Sequence, residues 1–215
     1  MSKIRNIERN PSNINYFLVD ACFLANRYIP TDKLPIKEKE RIEACKNWWV
    51  EISAQQKRKK AIVYIPDVCI AEAFKVLAKK YYREKAFSRG ASYNLVKNKF
   101  SQEITIPVKT LKAYKRNIGF HDISTCRDLI ISVDRFLEVF MKENLDVSII
   151  DLIILATAKY LIDFFRIPRS SLFIVTMDEA LHKGSRKLPD IPSAFNPTKS
   201  NERADKVFIW RRKEK

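Results

Sequence analysis

An α/β fold with a mostly parallel central sheet is predicted from three features of this 215-residue sequence. Short apolar runs rich in β-branched or aromatic residues recur at 16–19, 61–65 and 172–176, the pattern of strands buried on both faces. Stretches of helical length and periodicity separate them, as in crossover connections. Asp20 and Asp178 stand just past two of these runs, where open α/β sheets bind their ligands. The length suits one domain over 1–215, enlarged by an insertion and long enough for a substantial core.

In chain order, residues 1–15 are polar, and Tyr16 to Val19 forms the first buried strand. Asp20 then either lines a strand-end crevice or caps a helix over Ala21 to Tyr28. Pro35 to Lys60 reads as a long helix, with Ile42, Cys45, Trp49 and Ile52 marking its buried face. Trp48 falls off that stripe, so it is exposed or meets a second surface. The cations Lys57 to Lys60 complement the helix macrodipole at its end. Ala61 to Ile65 is the second strand, and Pro66 with Asp67 as N-cap opens a helix. Its apolar stripe is Ile70, Phe74, Leu77 and Tyr81, which puts Glu72 on the opposite, solvent-facing side.

Residues 79–117 change character, with eleven Lys or Arg against two Glu. Tyr81, Tyr82, Phe87, Tyr93, Phe100 and Tyr114 are interleaved with the cations. Charges that track a backbone and rings that stack bases make a single-strand binding surface. The cations of that surface are Lys79, Lys80, Arg83, Arg89, Lys97, Lys99, Lys112, Lys115 and Arg116. The competing arrangement is a helical hairpin with its rings packed inward. Ile104 to Val108 reads as a loop or a short strand.

The sign reverses over 120–181, which holds ten acids and six basic residues. Arg127 to Glu143 reads as one amphipathic helix, and Leu145 to Val147 as a short strand. From Ile149 to Ala158 every residue except Asp151 and Thr157 is apolar, so this helix is enclosed. Asp151 is then a costly buried carboxylate unless a cation, a metal or several donors meet it. Equally, Ser148 and Asp151 match a capping box. Leu172 to Thr176 is the last clear strand, and Asp178 either belongs to the crevice or caps the next turn. The tail, 183–215, is basic again, with a mobile loop over Leu188 to Asn201 and an edge strand over Val207 to Trp210.

Composition removes several chemistries. The net charge of +16 points to a polyanionic partner, nucleic acid before membrane. Cys22, Cys45, Cys69 and Cys126 have no zinc-like spacing and read as small buried hydrophobes in a reducing, cytoplasmic setting. The run 145–165 carries Asp151, Lys159 and Asp163, against its spanning a membrane. With three scattered glycines there is no P-loop, GxGxxG or GxSxG element. Two histidines leave little material for imidazole chemistry. Carboxylates remain: Asp20, Asp151 and Asp178, with Glu72 as a fourth candidate, converging at one end of a sheet. Such a cluster is paired most naturally by a hard divalent cation, Mg²⁺ or Mn²⁺. A phosphoaspartate site at Asp20 is disfavoured, because a dehalogenase-type centre wants a second Asp where Cys22 stands.

The segments FLVDACFLAN, IPDVCIAEAFKVL, SIIDLIILATA and LFIVTMDEAL resemble, in order, the four signature blocks of the PIN-domain ribonucleases, a group that includes the VapC-like toxins. The blocks span residues 16–181. The resemblance implies a three-layer α/β/α sandwich and cleavage of RNA, single-stranded or structured, with Mg²⁺ or Mn²⁺. It assigns Asp20, Glu72, Asp151 and Asp178 as metal-binding, catalytic acids, with Thr176 supporting. It also implies a homodimer and, for a toxin, a small antitoxin partner. Two departures stand out. Ala21-Cys22 replaces a small polar pair, and the basic insertion at about 83–125 is longer than in compact toxins.

Overall fold

The computed structural model describes residues 14–104 and 120–199. Five strands, β1 Asn15–Val19, β2 Ala61–Pro66, β3 His121–Ile123, β4 Leu172–Val175 and β5 Ala194–Phe195, form one sheet in the order β3-β2-β1-β4-β5. Every pairing is parallel. The helices are α1 Ala21–Asn26, α2 Ile36–Lys57, α3 Asp67–Tyr82 and α4 Gly90–Ile104, followed by α5 Arg127–Ser132, α6 Asp134–Lys142, α7 Ile149–Asp163 and α8 Glu179–Ser185. This is the expected α/β class: a parallel sheet flanked by helices.

The chain steps from β1 outward to β2 and β3, then returns to the other side of β1 as β4. The strand order therefore reverses between β1 and β4, and past the carboxyl ends of these strands lies the crevice position at which open α/β sheets bind ligands. Phe17, Leu18 and Val19 are fully buried between the layers, as are Ile174 and Val175 beside them. That explains why both strands are continuous apolar runs rather than alternating ones.

One open alternative is resolved and several expectations are corrected. Trp48 is buried and meets Phe195 of β5, the second surface left open above. Arg127 to Glu143 is two helices meeting at Val133, where the Ser132 hydroxyl donates to the Leu129 carbonyl and competes with the helical ladder. Leu145 to Val147 is not a strand. Asn144 takes a left-handed conformation (φ 50°), and the Leu145 N–H bonds back to the Phe140 carbonyl at 3.0 Å, closing α6 with a Schellman motif. The segment read as a mobile loop from Leu188 holds β5, with Ile191 and Ala194 buried and the Ala194 N–H bonded to Ser185 Oγ. All four cysteines are free, yet Cys22 and Cys126 are exposed rather than buried.

The basic stretch resolves mostly into the inward-packed alternative. Phe100 is fully buried against Tyr28 and Phe74, and Phe87 and Tyr93 are buried with Tyr81. Tyr82 is the exposed ring. Lys80 is also not free to meet a polyanion: it continues the buried stripe of α3, and its ammonium pairs with Glu38 at 2.6 Å and with Glu84. Lys79, Arg83, Arg89, Lys97 and Lys99 stand in solvent, Lys79 with Glu84 nearby at 3.6 Å. Lys112, Lys115, Arg116, Tyr114, most of 104–108 and the strand expected at Val207–Trp210 lie outside the described residues. No helix among the described residues is long and apolar enough to cross a membrane.

Candidate active site

Asp20 immediately follows β1 and caps α1, its Oδ1 accepting from the Phe23 N–H. Its other oxygen, Oδ2, accepts from the Thr176 hydroxyl and, at 2.9 Å, from the Met177 N–H. The backbone adds a further tie across the reversal point, from the Asp20 N–H to the Val175 carbonyl at 3.1 Å. Asp20 is thus strand-end residue and helix cap at once. At 4% exposure, burial pushes its carboxyl up to about 6, even though the three donors pull the other way.

Thr176 is fully buried and serves two acids. It donates to Asp20 and accepts from the Asp178 N–H at 2.9 Å, while its own N–H is held by the Phe195 carbonyl. Asp178 caps α8 through Oδ1 on the Leu181 N–H. Asp151 lies in the first turn of α7. Its Oδ2 accepts from Ser148 N–H and hydroxyl, and Ser148 Oγ accepts from the Asp151 N–H, a complete capping box. Leu152 to Ala158 are buried on every side, but Asp151 itself is half-buried at the open helix end.

Glu72 is half-buried too, which corrects its expected outward position. The contact stripe of α3 is Cys69, Ala73 and Leu77 rather than Ile70, Phe74 and Leu77. Small residues let α1 approach closely, so the buried face is turned by about one residue and Glu72 moves to its flank.

These acids act on one another. Burial is the main cause of the raised Asp151 carboxyl, and Asp178 and Glu72 both push it further. Asp151 in turn raises Asp20. Although Cys22 is exposed overall, the protein around its sulfur removes enough water to push the thiol up to about 12, and Asp20, Glu72 and Asp151 add to the rise. Asp20, Glu72, Asp151 and Asp178, from four elements, are thus near enough to influence one another's charge, and among the described residues none of them forms an ion pair. As they stand, no three Asp, Glu, His or Cys side chains among the described residues form a group set to hold an ion. Asp20 Oδ1, Asp151 Oδ2 and Asp178 Oδ1 each cap a helix N-terminus. The donor set itself, oxygen-only with uncompensated negative charge, fits a hard divalent cation.

Two neighbours escaped the sequence reading. Arg41 of α2 donates from Nη2 to the Met177 carbonyl at 3.1 Å, inside the turn that joins Thr176 to Asp178. Asn26 donates to Met177 Sδ at 2.8 Å. Arg41 immediately precedes Ile42 on the buried stripe of its helix, a signal that means little until α2 is laid beside β4.

No family model matches the chain, and no curated protein sequence does. Solved structures overlap it loosely. VapBC2 from Rickettsia felis, bound to a DNA fragment from their promoter, has 11% identity over 84% of this chain and 98% of that one, with a TM-score of 0.47. FitAcB from Neisseria gonorrhoeae has 16% identity over 84% and 97%, with a TM-score of 0.48. FitAB bound to the IR36 DNA fragment has 16% over 85% and 96%, with a TM-score of 0.49. Superpositions at this level decide nothing about activity.

Proposed function

We propose that this single-domain chain is a metal-dependent endoribonuclease that hydrolyses phosphodiester bonds of RNA at the β1/β4 crevice. What supports the reading is the buried Asp20 at the end of β1, tied through Thr176 to the Asp178 turn and electrostatically coupled to Asp151, which also feels Asp178 and Glu72, in a chain of net charge +16. Asp20, Asp151 and Asp178 would hold Mg²⁺ or Mn²⁺, and Glu72 would ligate it or orient the attacking water. The chemistry such an ion would supply there is a lowered pKa for a bound water and an offset to charge growing on the phosphoryl oxygens. Thr176 keeps the Asp20 and Asp178 ends at a fixed spacing through its two hydrogen bonds. The helix N-cap bonds of Asp20 and Asp178 and the Ser148–Asp151 capping box hold these side chains in place, so little order has to be created on binding. The toxin assignment, an antitoxin partner and a homodimer rest on the sequence resemblance; a small adjacent reading frame whose product copurifies with this chain would support them.

Purified protein incubated with single-stranded RNA should cleave it with Mn²⁺ or Mg²⁺ and stop with EDTA. Activity that survives EDTA, Asp20→Asn and Asp151→Asn overturns the proposal. A second reading, an RNA-binding protein without catalysis, is favoured by one observation: both Asp20 oxygens already accept protein hydrogen bonds. It requires salt-sensitive RNA binding with no cleavage and no calorimetric signal for Mn²⁺.

A further inference from the structure

Within the crevice described above, one cation is placed where neutralising the acids does not account for it. Arg41 is exposed on α2, and a single N–H of its guanidinium is tied to the Met177 carbonyl. Among the described residues it forms no ion pair, although the Asp20 carboxylate accepts from the Met177 N–H and Asp178 follows in the turn that Arg41 holds. Its charge is nonetheless felt at the mouth, where it offsets part of the rise of the Cys22 thiol. A guanidinium has five N–H donors in a rigid fork and suits a tetrahedral anion held by two parallel bonds. One donor spent on a carbonyl fixes the fork beside the Thr176–Asp178 turn and leaves the others open toward solvent.

We infer that Arg41 is a phosphate-binding residue of this site, donating to a non-bridging oxygen of the RNA phosphate that enters the β1/β4 crevice or of its neighbour along the strand. The inference rests on the crevice being where RNA enters. The carbonyl tether explains why the cation does not collapse onto the acids: Met177 holds it at the rim. An incoming phosphodiester then meets a cation at the mouth before it meets the carboxylates, which alone would repel it.

The test measures binding and cleavage separately on wild type, Arg41→Lys and Arg41→Gln. Affinity for a short single-stranded 2′-O-methyl RNA is measured across a salt series with Ca²⁺ present, and kcat and KM are measured on the unmodified RNA with Mn²⁺. Arg41→Gln should lose roughly tenfold or more in affinity. Its slope of log affinity against log salt should fall by about one unit, a change that a purely structural role would not produce. Arg41→Lys should restore the slope but only part of the affinity, since an ammonium lacks the fork. A Gln variant with a lower melting temperature but unchanged slope and affinity overturns the inference, as does a variant indistinguishable from wild type. If wild type fails to cleave while Arg41→Gln still loses slope, Arg41 stands as an RNA contact and the nuclease reading falls.

Discussion

At the crevice, Asp20 is 4% exposed and no described cation meets it; on the α3–α4 arm, Lys97 and Lys99 stand in water while Phe100 beside them is fully buried. Both regions were notable in the sequence for charge, one acidic and one basic, and folding treats them in opposite ways. The crevice keeps its charges where they are costly and holds them with caps. The arm keeps its charges where they cost nothing and spends its aromatic residues on packing. A buried charge at a strand-order reversal implies a ligand more strongly than a larger number of solvated charges does. That contrast can be broken or sharpened by experiment.

The largest effect should come from removing charge at the crevice while leaving its caps in place. Asp151→Asn retains an oxygen for the Ser148 N–H and removes the cost of the partly buried charge, so its melting temperature should hold or rise. Cleavage of single-stranded RNA should fall roughly a thousandfold, the scale of several kcal/mol of lost transition-state charge stabilisation. Gel-based rates with Mn²⁺ check this. Retained cleavage would reduce Asp151 to a cap, the other role open to it from the sequence.

On the arm the corresponding change is Phe100→Ala, expected to cost about 3–5 kcal/mol in denaturant unfolding because it empties a packed site against Tyr28 and Phe74. If the ring instead stacked on bases, stability would hold and RNA affinity alone would fall. That outcome would erase the difference between the two regions.

Next in size is a pH effect confined to the crevice. The Asp20 carboxyl sits at about 6 when folded, above its ordinary 3.8. A raised acid favours the folded state fully below its unfolded value, and that contribution is lost as pH rises through about 6. At neutral pH the loss amounts to about 3 kcal/mol, and Asp151 adds in the same direction. Millimolar Mn²⁺ should therefore raise the melting temperature by roughly 5–10 °C at neutral pH and scarcely at all near pH 4. Equal shifts at both pH values would show that the ion binds away from these carboxylates.

How far the two regions could be read in advance follows from side-chain size and segment length. Asp20 and Asp178 were legible because each follows an unbroken apolar run that only a doubly covered parallel strand explains. Glu72 was misplaced because Cys69 and Ala73, small and weakly hydrophobic, carry the helix contact while the bulkier Ile70 and Phe74 flank it. Three-residue β3 and two-residue β5 are too short for any period to show, and their pairing depends on neighbours remote in sequence. The rings of the arm were ambiguous in principle: interleaved cations and aromatics describe a base-stacking face and an inward-packed hairpin equally well, and only the partners Tyr28 and Phe74 decide it.

The smallest effect distinguishes the arm's charges from its rings. Lys97 and Lys99 are exposed, and among the described residues neither is paired with a carboxylate. If the arm contacts RNA through phosphates alone, Lys97→Ala and Lys99→Ala should each weaken binding roughly threefold at moderate salt and lower the salt slope by about one unit. The loss should be the same for every RNA sequence, because phosphate contacts carry no base information. Neither change should alter the melting temperature, in contrast to Phe100→Ala. Affinity measured by anisotropy on two RNAs of unlike sequence is sufficient. A loss that differs between them would mean that bases are read on the arm, and Tyr82, its exposed ring, would be the first residue to substitute. Unchanged affinity for both would confine RNA recognition to the crevice and its rim, leaving the arm's positive charge a solvated face.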